Sequence, residues 1–135
     1  MGMAVAAALA GCGDSEAGGG KEGWEDKHGD ALAGLSTDLD AARGDLSKGD
    51  RALILSSCNQ LKTAVVETRE ALPVPDPASD AALRKAVDQI SAGADDCVEG
   101  ARAGAAAPVI EKSIDELRDG RAALDEAHAA ITNWK

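Results

Sequence analysis

The sequence predicts an all-α protein, an antiparallel up-down-up-down four-helix bundle with an interhelical disulfide. Three observations carry that expectation. Apolar residues recur at alternating spacings of three and four along four separate stretches, the pattern of a buried helical stripe. Alanine, leucine, glutamate, lysine and arginine dominate those stretches, and these are the better helix formers. Strand signals are missing, with few β-branched runs and no Asn-Gly hairpin turn.

The first stripe is Leu32, Leu35, Leu39, Ala42 and Leu46, and the folded domain is expected to span residues 24–135, beginning near Trp24. It stops at Lys48-Gly49, a basic residue followed by a glycine, as helix ends prefer. Asp50 then suits the cap of a second helix, whose stripe is Ile54, Cys58, Leu61, Val65, Thr68 and Leu72. Pro73, Pro75 and Pro77 end that helix, because proline supplies no N–H and clashes with the turn before it. A third helix is expected from Ser79 or Asp80, with Leu83, Val87, Ile90, Ala94 and Cys97 on one face and an end between Gly100 and Ala107. Pro108 reads as an early position of the fourth, whose stripe is Ile110, Ile114, Leu117, Leu124 and Ile131, interrupted by Arg121. Short connections favour antiparallel neighbours.

Cys58 and Cys97 fall on the inward stripes of consecutive helices, which predicts a disulfide between them. In the chain-entropy model a bridge closing a loop of that length stabilises by about 4 kcal/mol. A redox pair or metal ligands fit less well, since there is no Cys-x-x-Cys and no histidine near either cysteine in sequence.

Composition excludes several functions. Alanine and glycine make up about a third of the 135 residues, there is no Phe or Tyr, and Trp24 and Trp134 are the only aromatics of the Phe, Trp and Tyr class, which argues against a large aromatic-lined pocket. The formal charge of −10 argues against a nucleic-acid partner, whose phosphates need Lys and Arg.

Location is read from the N-terminus. The apolar stretch Met3–Ala10 is far short of the ~20 residues that span a bilayer, and it fits the apolar core of a secretory signal. Leu9-Ala10-Gly11-Cys12 resembles the lipobox of bacterial prolipoproteins. The resemblance implies that residues 1–11 are a lipoprotein signal peptide, and that Cys12 receives a diacylglycerol and becomes the first mature residue. It places the protein at the extracytoplasmic face of the cell membrane. No Lys or Arg precedes Cys12, so the true start is expected upstream. The alanine- and arginine-rich vocabulary fits a high-GC bacterium such as an actinomycete. Residues 12–23, rich in glycine and without apolar periodicity, read as the lipidated cysteine and a flexible tether.

No nucleophile, phosphate-loop or zinc-protease motif occurs, and no enzyme activity is expected. The acidic doublets Glu25-Asp26, Asp95-Asp96 and Asp115-Glu116 read as solvated helix faces, because adjacent residues point about 100° apart. Arg121 is expected to snorkel or to pair with an acid of a neighbouring helix. His28 and His128 lie on the extended first and fourth stripes, at the bundle end that also holds Trp24 and Trp134. This is similar to the haem end of cytochrome b562-type bundles, and the likeness implies a metal or haem site on those two histidines. A rotation of one position would turn Ala127 inward instead of His128, leaving two partly exposed histidines and no cofactor. The leading expectation is a lipid-anchored module that binds a protein or envelope component, with a metal- or haem-binding bundle as the alternative.

Overall fold

The computed structural model describes residues 13–104 and 107–135, with side chains from Gly20 onward except Ala107. Among the described residues it is an all-α bundle of four helices: α1 (Gly13–Lys48), α2 (Arg51–Arg69), α3 (Pro77–Arg102) and α4 (Ala107–Asn133). Each helix packs on the next, and α4 returns to α1. Cross-connections fix the directions. At one end, the Trp24 indole in α1 donates to the Ala71 carbonyl just past α2, and Trp24 meets Trp134 just past α4. At the other, Arg51 at the start of α2 donates to the carbonyls of Ala101 and Arg102 at the end of α3. Helices α1 and α3 therefore run one way, α2 and α4 the other.

Local chemistry explains most boundaries. Gly49, at φ +73°, takes the left-handed conformation that closes α1, its N–H donating to the carbonyls of Asp45 and Leu46. Asp50 caps α2, accepting from the N–H groups of Ala52 and Leu53 at 3.0 and 3.2 Å. Two boundaries differ from the sequence expectation. Helix α3 starts at Pro77, not Ser79 or Asp80: Asp76 accepts from the Ser79 N–H, and Pro77 occupies a first-turn position where its missing N–H costs nothing. Pro77 thus opens a helix instead of ending one. Helix α1 begins at Gly13, inside the stretch expected to be a tether. The bundle holds on to it ahead of Trp24, where Lys21 donates to the Thr132 carbonyl of α4 at 2.8 Å. Once a helix is nucleated, each further residue adds a bond at little cost, so it can propagate past its last packed turn.

The four aliphatic stripes meet in a single core. Cys58 and Cys97 are fully buried and form the predicted disulfide between α2 and α3, with Cα atoms 6.2 Å apart. Helices α3 and α4 share the most extensive contact in the bundle. Their seam is built on small residues spaced by seven: Ser79, Ala86, Gly93 and Gly100 on α3, with Ser113, Gly120 and Ala127 on α4, all buried. A Cβ on Gly93 would lie 2.6 Å from Leu117 Cδ2, and one on Gly120 would lie 2.8 Å from Ile90 Cγ1. On α4, Ile110, Leu117, Leu124 and Ile131 are buried as the spacing requires, and Ser113, Gly120 and Ala127 complete the inward face in place of Ile114, Arg121 and His128. Ile114 is partly buried, while Arg121 and His128 stand one position round the helix.

Glycine substitutions separate propensity from packing. Gly44 is exposed, with nothing within 4 Å of an added Cβ, so Gly44→Ala is expected to stabilise by about 0.5–1 kcal/mol. At Gly93 and Gly120 the same gain is outweighed by overpacking of about 1–3 kcal/mol against the fully buried Leu117 and Ile90. Urea denaturation of the three alanine variants should give opposite signs for Gly44 and the seam pair. Replacing both Cys58 and Cys97 by alanine is expected to cost about 4 kcal/mol in the same experiment.

Candidate functional site

The contact between α1 and α4 is the least extensive of the four, and it leaves a groove of about 480 Å³ at the tryptophan end. Trp24, Leu32 and Ile131 supply apolar walls, while Ser36, Thr37, Thr132 and His128 supply polar groups. Trp24 forms the groove's fixed corner. It is 8% exposed, its indole N–H is held by the Ala71 carbonyl at 3.0 Å, and its ring meets Trp134 edge-on at 6.1 Å.

Beyond the groove's lining, Arg121 braces Ser36. Its guanidinium donates to Ser36 Oγ at 2.8 Å and to Asp40 Oδ1 at 3.3 Å on α1, and to Asp125 Oδ1 at 2.8 Å on its own helix. This is the acid pairing across helices expected for Arg121. The hydrogen bond it donates to Asp125, foremost, strengthens its hold on the proton, and the same bond keeps the Asp125 carboxyl below its ordinary value. The groove thus ends in a polar clasp that ties α1 to α4 where apolar contact is sparse.

The two histidines do not share a cavity. His128 is half-buried and lines the α1–α4 groove. His28 packs beside Trp24, ring centroids 5.4 Å apart, and lines a separate depression between α1 and α2 with Lys27, Asp30, Glu67 and Glu70. Ala127, fully buried, takes the inward place on α4. Among the described residues, no three His, Cys, Asp or Glu side chains gather as a metal site. Cys58 and Cys97 are committed to each other, and the lipobox with Cys12 lies outside the described residues.

Two of the acidic doublets divide differently from the sequence expectation. Glu25, Asp26, Asp95 and Asp115 are exposed, as solvated faces should be, but Asp96 and Glu116 are only partly exposed, and Lys112, one turn before Glu116 on α4, reaches across to Asp96 of α3 at 3.3 Å. Residue types alone gave no sign of this, because the pairing depends on the helices meeting at the glycine seam.

Desolvation, then the nearby Arg121 charge, lowers the His128 pKa from 6.5, with Asp125 opposing. A base whose folded pKa is depressed contributes stability that is complete above its unfolded value and lost as pH falls through the folded one. Between pH 7.5 and 5, the wild type should therefore lose more thermal stability than His128→Gln. Parallel melting curves over that range would show that His128 is not desolvated in the groove. No family model matches the chain, nor does any curated protein or solved structure, so the groove's chemistry has to be argued from its own residues.

Proposed function

We propose that this chain is a lipid-anchored, extracytoplasmic binding module that presents the α1–α4 groove to a protein or cell-envelope ligand. The groove is the observation that carries the reading. Its volume falls within the ~300–1,000 Å³ of ligand sites, and its lining combines an apolar floor with a few hydrogen-bonding groups and the Glu25 carboxylate. The depressed His128 pKa leaves the imidazole neutral at pH 7, so the lining favours an apolar body bearing hydrogen-bonding groups, neutral or positively charged, over an anion. The −10 charge of the chain suits a partner whose surroundings are basic, through steering more than contact.

The anchor half of the reading rests on Leu9-Ala10-Gly11-Cys12. Two acyl chains on one cysteine give stable membrane attachment where a single chain does not. Among the described residues no helix is long and apolar enough to cross a membrane. Helix α1 starts at Gly13, about 16 Å of helix before Trp24, so an anchor on the preceding residue attaches at the groove end of the bundle. The groove is then membrane-proximal.

Two experiments test the two halves separately. Expressed in a bacterial host that processes lipoproteins, the full chain should partition into detergent and the Cys12→Ala variant into the aqueous phase. Equal partitioning removes the anchor. For the groove, a photoreactive residue at Thr132 should give a reproducible adduct in envelope preparations, reduced about tenfold by Thr37→Trp, which fills the groove. Equal labelling from the exposed Val66 on α2 would show that the groove is not the contact surface.

A further inference from the structure

Away from the groove, Asp96 of α3 lies one turn after Gly93, which packs on Glu116 of α4, and is reached at 3.3 Å by Lys112, one turn before Glu116, so the two acids share one stretch of the glycine seam. Gly93 admits the Glu116 side chain to this position: a Cβ on the glycine would lie 3.2 Å from Glu116 Cβ. Once there, Glu116 Oε1 is buried and meets no hydrogen-bond donor among the described residues. One turn earlier, Ser113 Oγ is buried in the same unpartnered state. The nearby cation does not relieve this, because Lys112 Nζ is engaged at 3.3 Å by Asp96 Oδ2. An ionised Glu116 would leave a buried oxygen unpaired while facing a second carboxylate. A protonated Glu116 can donate to Asp96, which Lys112 keeps as the acceptor.

We propose that Glu116 and Asp96 form a proton-sharing lock on the α3–α4 seam, closed when Glu116 carries the proton and loosened when it ionises. The geometry has a matching titration. Burial, foremost, and then the hydrogen bond and charge of Asp96 push the Glu116 carboxyl up to about 7, with Lys112 pulling the other way. The folded value stands above the ordinary 4.5, so the lock's stabilisation is complete below pH 4.5 and is lost as pH rises through about 7. The charged groups acting on Glu116 are Asp96 from α3 and Lys112 from its own helix. Gln89 of α3 adds a neutral contact, donating to the Glu116 carbonyl at 3.4 Å. On α1, the other helix packed against α4, Asp40 is turned to Arg121. The sign is opposite to that of His128, so the bundle is held from both sides of neutrality by two groups on one helix.

Carboxyl NMR of the full chain, labelled with carbon-13 glutamate, tests the lock directly. One glutamate resonance, identified by its loss in Glu116→Gln, should titrate with a midpoint near 7 in the folded protein. A midpoint in the ordinary carboxylate range would overturn the proposal. Asp96→Asn should lower that midpoint, and an unchanged value would show that no proton is shared. As a second readout, thermal melts at pH 5.5 and 8.5 should show the wild type losing several degrees more than Glu116→Gln. The glutamine can donate to Asp96 but cannot ionise, so equal losses would contradict the lock even where the variant is less stable overall.

Discussion

Where α3 meets α4 the backbones come so close that a methyl group on Gly93 or Gly120 would overlap Leu117 or Ile90. Small side chains every seventh residue make this possible, and the arrangement has an energetic logic. Glycine and alanine bury little apolar area, so the hydrophobic gain per residue is low at ~25 cal/mol per Å². Close approach offsets this by bringing many heavy atoms to dispersion distance, each worth only ~0.1–0.2 kcal/mol but numerous along a seam. The Cys58–Cys97 bridge then ties α3 to α2, so three of the four helices form one strongly coupled unit.

Helix α1 packs on α2 about as extensively as α2 packs on α3, but its contact with α4 is sparse, and polar links span the gap: Lys21 to Thr132, and Arg121 to Ser36 and Asp40. The space between α4 and α1 that Trp24, His128 and Ile131 line lies beside the glycine seam, not across the helix from it. The same seam draws Glu116 of α4 against Gly93 of α3.

Much of the fold was legible because large aliphatic side chains report helical phase directly. The stripe Leu32, Leu35, Leu39, Ala42 and Leu46 is buried as the spacing requires, the cysteines pair, and Gly49 and Asp50 mark a boundary correctly. On α4, Ile110, Leu117, Leu124 and Ile131 are buried as read, and the misreadings there have one cause. The remaining inward positions are filled by Ser113, Gly120 and Ala127, which hydrophobic periodicity does not register as core, so Ile114, Arg121 and His128 read as inward in their place. That one-position rotation joined His128 to His28 in sequence space, although they line different cavities. Asp96 and Glu116 were hidden for a related reason. Each belongs to a doublet whose other member is solvated, and only the helix pairing shows which member turns inward. The polar clasp beside the groove was partly visible: Arg121 stood out as a charge near the apolar stripe, expected either to snorkel or to pair with an acid of a neighbouring helix, and it pairs with Asp40.

Native-state hydrogen exchange tests the dependence on the glycine seam most directly, because it reads local opening along every helix at once. With α3 and α4 as the rigid half, amides from Ile90 to Ala94 and from Leu117 to Leu124 should exchange slowest, at the rate of global unfolding. Amides of α1 along the groove, from Gly29 to Thr37, should exchange through smaller openings that leave the seam intact. If α1 were as protected as the seam, or if α4 opened before α1, then the close approach of Gly93 and Gly120 would not be what organises this bundle.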